Sequence, residues 1–148
     1  DARITTIYEG TSQLQIVAAV RGVCSGVFEK QAAEYETRQY ADPQLNELRT
    51  RLVEGRELVL KGVAFVKSQS NEYMDLSGRR LVDSAIAVLC GHLLLRQAEN
   101  NERKRHVARR FITTSLPTIR RDIELVCSGD RSVMDEYQIL AGPVPVQM

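Results

Sequence analysis

Tryptophan is absent from this 148-residue sequence, and aromatic residues make up only 5% of it. Aromatic and β-branched residues are sparsely clustered, whereas Leu, Ala, Arg and Glu are frequent, so the composition favours helix over sheet. The formal net charge is only +1, which gives no global argument for a nucleic acid or an anionic membrane as partner. With 43% hydrophobic and 26% charged residues, the chain is expected to fold around a core rather than remain disordered.

Cysteine is also scarce, since only Cys24, Cys90 and Cys127 are present, with no Cys-x-x-Cys or Cys/His ligand spacing. We expect three reduced thiols in a cytoplasmic protein rather than a disulfide scaffold or a metal site. The longest apolar stretch, residues 85–95, is interrupted by a Gly-His pair and is too short to span a bilayer. No secretory signal pattern is recognised.

Four long segments carry apolar residues at helical spacing, over about residues 13–35, 43–69, 71–99 and 101–126. Asp42-Pro43 predicts a helix start, with the aspartate as N-cap and the proline in the first turn. Pro117 is expected to kink or split the fourth helix, and Gly129 to cap its end. With an extended N-terminal segment, a short helical turn over 132–140 and an extended tail, the pattern predicts an all-α, up-down four-helix bundle.

Glycines and charged residues give further expectations about packing. Gly22 and Gly26 on the first helix, and Gly55 and Gly62 on the second, are predicted to let a neighbouring helix approach closely. The broad apolar surface of the third helix predicts contact with more than one neighbour.

Asp83 lies among apolar residues, and we expect it to pair across the bundle with Arg109 or Arg110. His92 is expected to be a packed histidine rather than a metal ligand. The basic run over 102–110 is interpreted as a solvated helix face, with an anionic membrane or a partner surface as the alternative.

Glu9 is a candidate catalytic residue because of its neighbours in the sequence, although its spacing alone fits a solvated or helix-capping acid. Gly10 directly after it would allow close approach of the backbone to a ligand. The helix N-terminus that follows offers N–H groups and a positive dipole end, which suit an anion or a polar cofactor group.

The first fifteen residues, DARITTIYEGTSQLQ, resemble nearly residue for residue the segment that opens the last helix of acyl-CoA dehydrogenases. The resemblance implies that Glu9 is the base that removes an α-proton from an acyl-CoA thioester, while FAD accepts the β-hydrogen as hydride and trans-2-enoyl-CoA is formed. It places Gly10 against the thioester end of the substrate and Thr11, Ser12 and Gln13 at the flavin. Because the chain starts at Asp1 within this motif, we expect a piece excised from a longer protein.

Residues 73–83 and 108–111 are similar, more loosely, to the extra helical domain of longer family members. Residues 1–38 are therefore interpreted as the end of the catalytic helical domain and 39–148 as an additional C-terminal helical domain. The resemblance further implies a homo-oligomeric parent that passes electrons to an electron-transfer flavoprotein or a similar acceptor. We expect the isolated chain to be inactive, with a non-catalytic module for subunit, partner or membrane docking as the alternative.

Overall fold

The structure, a computed structural model, describes residues 12–143, and these residues form helices and no strands. The elements in chain order are α1 (Ser12–Cys24), α2 (Val27–Glu36), α3 (Pro43–Lys67), α4 (Asn71–Ala98), α5 (Glu102–Val126), α6 (Ser132–Asp135) and α7 (Tyr137–Ala141). The predicted all-α class is confirmed. The long helices pack as a bundle in which α4 contacts α1, α2, α3 and α5.

Side-chain caps fix where the three longest helices begin. The Asp42 carboxylate accepts a hydrogen bond from the Gln44 N–H at 2.8 Å, with Pro43 in the first turn, as predicted. Ser70 and Asn101 cap α4 and α5 in the same way. Each cap supplies an acceptor for an N–H that has no partner within the helix.

The prediction of one continuous helix over residues 13–35 is wrong, because the chain turns between α1 and α2. Gly26 lies there with φ of 93°, a left-handed conformation that glycine adopts without steric cost. α1 runs antiparallel to α4, since Ile16 lies at Gly78 and Arg21 at Asp75, an earlier position of α4. α2 then runs back toward the other end of α4.

The core is built around α4, as its wide apolar surface predicted. One cluster joins α1 and α2 to α3, α4 and α5, and a second lies between the first halves of α3 and α5 and the end of α4. Gly55 and Gly62 are close-packing positions, as predicted, because a Cβ there would lie 3.1 Å from Val88 and 2.9 Å from Leu81. The same prediction for Gly22 and Gly26 is wrong, since a Cβ at either would meet nothing within 4 Å.

By length and composition, α4 is the one helix of the described chain that could cross a membrane, and half of its most apolar window is buried. Leu81, Val88 and Leu95 on this helix are fully buried against its neighbours. Packing against four helices accounts for the apolar character of α4.

Three further expectations can be compared with the described residues. α5 continues through Pro117 without splitting, with Leu116 and Ile119 buried on either side of the proline. The cap of α5 is Cys127 rather than Gly129. The predicted turn over 132–140 is two short helices that meet at Glu136.

The pairing predicted for Asp83 is also wrong. Its half-exposed carboxylate lies 3.8 Å from Arg79, one turn earlier on the same helix. The side of α4 that carries Asp83 faces solvent, so neither Arg109 nor Arg110 is its partner.

Candidate functional site

The predicted site lies at the start of α1, and the structure describes only part of it. Glu9, Gly10 and Thr11 lie outside the described residues. Ser12 is the first residue of α1 and is partly buried, and Gln13 follows with an exposed side chain. The structure therefore brings these two of the five predicted residues to the N-terminus of one helix.

α1 is positioned by its packing on α4. Ile16 and Val20 are buried against Gly78, where an added Cβ would lie 3.2 Å from the Ile16 side chain. The missing side chain at Gly78 thus allows the two helices to approach closely. A side chain larger than hydrogen at this position would push α1 away from α4.

An ion pair adds to this contact. Arg21 donates hydrogen bonds to the Asp75 carboxylate and, at 2.9 Å, to the Val17 carbonyl. Hydrogen bonding to Asp75 raises the pKa of Arg21, although both side chains are solvent-exposed and the pair adds little stability. The pair shows that the end of α1 lies beside the first turns of α4.

Cys24 is a buried thiol at the end of α1. Burial raises the pKa of its thiol, and this effect outweighs the positive charges of Lys67 and Arg21, which lower it. A protonated thiol is a poor nucleophile, so Cys24 acts as a core residue. All three cysteines are free.

A partly buried polar cluster at the end of α2 was missed by the sequence analysis. The Glu36 carboxylate accepts a hydrogen bond from Arg56 at 2.9 Å, and the Glu36 carbonyl accepts one from Arg49 at 2.7 Å. Both arginines lie on α3 and are two helical turns apart. From the sequence, the spacing could have shown that the two arginines share one face of α3. It could not have shown that this face lies against Glu36.

His92 lies beneath this cluster and is 1% exposed. Burial, and then the charges of Arg49 and Arg56, lower the pKa of His92 to about 4. The ring is therefore neutral at neutral pH, and the 3.9 Å separation from Glu36 is not an ion pair. His92 is packed, as predicted, with the Tyr35 ring 5.8 Å away.

The cluster ties α2 to α3 and α4 and does not resemble a catalytic centre. Both ring nitrogens of His92 and the Nε of Arg49 are buried without a hydrogen-bond partner within the described structure. Across residues 12–143, no three His, Cys, Asp or Glu side chains are grouped as a metal site would require.

The basic run of α5 divides between a cleft and an open surface. A cleft of about 470 Å³ separates the starts of α3 and α5, and Arg51 and Arg109 line it together with Glu47. Arg105 pairs with Asp42 at 3.3 Å and donates to the Ala98 carbonyl, so it fastens α5 to its neighbours. Arg103, Arg109 and Arg110 are exposed, which fits both the solvated-face interpretation and the alternative of a membrane or partner surface.

Comparison with known proteins identifies the helical domain. A solved structure of an acyl-CoA dehydrogenase family protein from Porphyromonas gingivalis superimposes with a TM-score of 0.69 at 21% identity. The superposition covers 76% of this chain and 98% of that one, and at this identity it shows a shared fold. No curated protein matches the sequence significantly.

The sequence profile described as acyl-CoA dehydrogenase C terminal matches residues 24–126. This range begins after the fifteen residues that carry the resemblance noted above, so the assignment does not depend on them. It covers all of α2 to α5 and well over half of the chain, and the chain therefore belongs to the acyl-CoA dehydrogenase C-terminal family.

Proposed function

We propose that this chain is the C-terminal part of a flavin-dependent acyl-CoA dehydrogenase that oxidises acyl-CoA to trans-2-enoyl-CoA. The proposal rests on the presence, in one chain, of both the C-terminal family match and the motif that resembles the catalytic segment. Residues 24–126 match the C-terminal family, and the Ile-Tyr-Glu-Gly-Thr motif stands directly before α1.

Glu9 is the proposed base of the reaction. The α-proton of a thioester is weakly acidic, so the carboxylate needs desolvation to raise its pKa, and the developing enolate needs hydrogen-bond donors. Gly10, without a side chain, leaves room for the thioester beside that carboxylate.

FAD, when bound, supplies the hydride acceptor of the reaction. The residues at the start of α1 fit a contact with a polar part of this cofactor, because Ser12 begins the helix and the Gln13 amide is exposed. Thr11, Ser12 and Gln13 would hold only one edge of so large a molecule. The isolated chain is accordingly expected to bind no flavin tightly and to have no dehydrogenase activity.

The proposed division places residues 1–38 at the end of the catalytic domain and 39–148 in an additional domain. Contacts join the two parts at both ends, through Ile16 on Gly78 and through the Arg38–Glu99 ion pair. We assign the parent to the cytoplasm, with an electron-transfer flavoprotein or a similar protein as its acceptor.

The base assignment is tested in the parent enzyme with Glu9→Gln. We expect flavin binding to be retained while α-proton exchange, followed as deuterium uptake into a bound acyl-CoA, falls by about 10² to 10⁴-fold. Glu29→Gln is the matched control, because Glu29 is exposed at the start of α2. Exchange at the normal rate in Glu9→Gln would show that another group is the base.

A second candidate function is a non-catalytic helical module that docks on a membrane or a partner. The exposed basic residues at the start of α5 favour it. Flotation with anionic liposomes should compare the wild type with a variant neutralised at Arg103, Lys104, Arg105 and Arg109. A variant neutralised at Lys30, Lys61, Arg79 and Arg80, which are exposed elsewhere, controls for net charge, and absence of binding by the wild type removes the membrane version.

A further inference from the structure

The cleft between the starts of α3 and α5 carries an ordered row of polar groups that the proposed function does not use. Four side chains from successive turns of α5 line it, namely Glu102, His106, Arg109 and Thr113. Steps of four, three and four residues place them along one side of the helix. The volume of about 470 Å³ lies within the range of small-molecule sites.

Most of the charged groups in this cleft already have partners. Asp42 pairs with Arg105 at 3.3 Å, and Glu47 pairs with Arg51 at 3.0 Å. Arg105 also donates hydrogen bonds to two backbone carbonyls at the end of α4. Because each pair joins opposite charges, these four side chains give the cleft no net preference for an anion or a cation.

Glu102 and Arg109 are the remaining charged groups of this lining. Among the carboxylates and guanidinium groups that line the cleft, these two have no ion-pair partner within residues 12–143. Two helical turns separate them on α5, so their backbone positions are about 10 Å apart. The cleft therefore presents a free negative charge at the start of α5 and a free positive charge two turns later.

An apolar surface lies between these two charges, and Leu45 and Leu48 of α3 contribute it. α3 and α5 run in the same direction, because the ion pair between their first turns is matched by the approach of Ile119 to Gly55 farther along. Leu45 consequently lies opposite the part of α5 between the two free charges. Both leucines are buried from the other side by the core.

We propose that this cleft binds a linear zwitterion, with its ammonium group at Glu102, its carboxylate at Arg109 and its apolar chain over Leu45 and Leu48. A ligand that bridges groups about 10 Å apart, through a hydrogen bond of about 3 Å at each end, needs its own charged groups roughly 5 to 8 Å apart. ε-Aminocaproate has this span. A lysine at the C-terminus of a peptide has the same chemistry, since its side-chain ammonium and its carboxylate are joined by an apolar chain.

Both charges of the ligand contribute to this binding. The Arg109 guanidinium can hold a carboxylate through two parallel hydrogen bonds, and the Thr113 hydroxyl lies one turn farther along the same side of the helix. A ligand with a single charge makes only one of the two ion pairs. A basic surface without this order of charges would instead bind any anion, with or without an ammonium group.

Titration of the isotope-labelled 148-residue chain with ε-aminocaproate tests the assignment. At low ionic strength, where exposed charges are screened least, we expect amide resonances to shift at the starts of α3 and α5, with a Kd of about 1 mM. Caproate and hexylamine carry one charge each, and both should bind about tenfold more weakly. γ-Aminobutyrate is too short to reach both side chains and should also bind weakly.

Two variants show which side chain holds which end of the ligand. Glu102→Gln should bind ε-aminocaproate no better than it binds caproate, and Arg109→Gln should bind it no better than hexylamine. A merely structural role would weaken the binding of all three ligands alike. Glu57→Gln and Arg80→Gln, at positions exposed elsewhere on α3 and α4, are matched controls that should leave the affinity unchanged.

Short peptides separate the two sources of this chemistry. If the ligand is the C-terminus of a protein, a peptide that ends in lysine with a free carboxylate should bind at least as tightly as ε-aminocaproate, and its C-terminal amide should not bind. Weaker binding by every such peptide would assign the cleft to a free ω-amino acid.

Three results would each overturn the proposal. They are the absence of resonance shifts at concentrations of ε-aminocaproate well above the expected Kd, equal binding of caproate, hexylamine and ε-aminocaproate, and unchanged binding in both Glu102→Gln and Arg109→Gln. Circular dichroism of the two variants should match the wild type, because both side chains are exposed, so a lost affinity is not a loss of fold.

Discussion

Gly91→Ala and Gly22→Ala make the same chemical change within two helices of the bundle, and their effects on stability should have opposite signs. At Gly91 on α4, an added Cβ would lie 2.5 Å from one methyl of Leu52 and 3.1 Å from the other. Leu52 is 3% exposed, so its side chain has no open space into which to move. At Gly22 on α1, nothing lies within 4 Å of the new Cβ.

The magnitudes follow from two opposing effects. Replacing glycine by alanine within a helix stabilises by about 0.5 to 1 kcal/mol, because the unfolded chain loses conformational freedom. Overpacking a buried position costs about 1 to 3 kcal/mol. Gly22→Ala should therefore raise the free energy of unfolding by about 0.5 kcal/mol, and Gly91→Ala should lower it by about 1 to 2 kcal/mol.

Urea titration followed by circular dichroism measures both values, and unchanged m-values would show that the unfolded states are comparable. In thermal unfolding, the midpoints of the two variants should differ by about 3 to 10 °C, since their stabilities differ by about 1.5 to 2.5 kcal/mol and 1 kcal/mol corresponds to about 2 to 4 °C in a chain of this size. If Gly91→Ala stabilised the protein as much as Gly22→Ala does, the close packing of α3 against α4 at Leu52 would be refuted.

Two other substitutions probe the turn and the buried histidine. Gly26→Ala should destabilise by about 1 to 2 kcal/mol in the same titration, because φ of 93° is unfavourable for a residue with a Cβ even where space is open; an unchanged midpoint would contradict that backbone conformation. For His92, the pKa is about 4 in the folded chain and about 6.5 when unfolded. As pH falls, His92 is protonated in the unfolded chain before it is protonated in the folded one. Its contribution to the free energy of unfolding is therefore fully present above pH 6.5, and about 3 kcal/mol of it is lost as pH falls to 4. The difference in unfolding free energy between wild type and His92→Gln should vary with pH in this window, and a constant difference would show that His92 titrates normally.

The sequence predicted the long helices well because their signals are local. Asp42-Pro43 and the apolar spacing of α3 to α5 lie within the segments that they specify, and the structure places those boundaries within about two residues. The turn at Gly26 was missed because glycine is compatible with both a helix interior and a left-handed turn. Only the packing of α1 and α2 on opposite halves of α4 decides between them.

Side-chain partners were harder to predict than helices, since they depend on how each helix is rotated about its axis. Asp83 was expected to point into the bundle, and a rotation that buries Leu81, Val82 and Ala85 instead turns it to solvent. Glu36 on α2 accepts hydrogen bonds from Arg49 and Arg56 on α3. The residue spacing within either helix does not predict this contact.

The proposed site shows the same division between local and non-local information. Spacing described Glu9 only as an acid beside a glycine, and the resemblance of the first fifteen residues supplied its role. The structure adds how the helix after the motif is held, because Ile16 and Val20 pack over Gly78 of α4. Two residues separate Glu9 from that helix in the sequence, and Gly78 belongs to the proposed additional domain. If Glu9 is the base, its placement depends on a contact with that domain, which then forms part of the support of the active site rather than a detachable appendage.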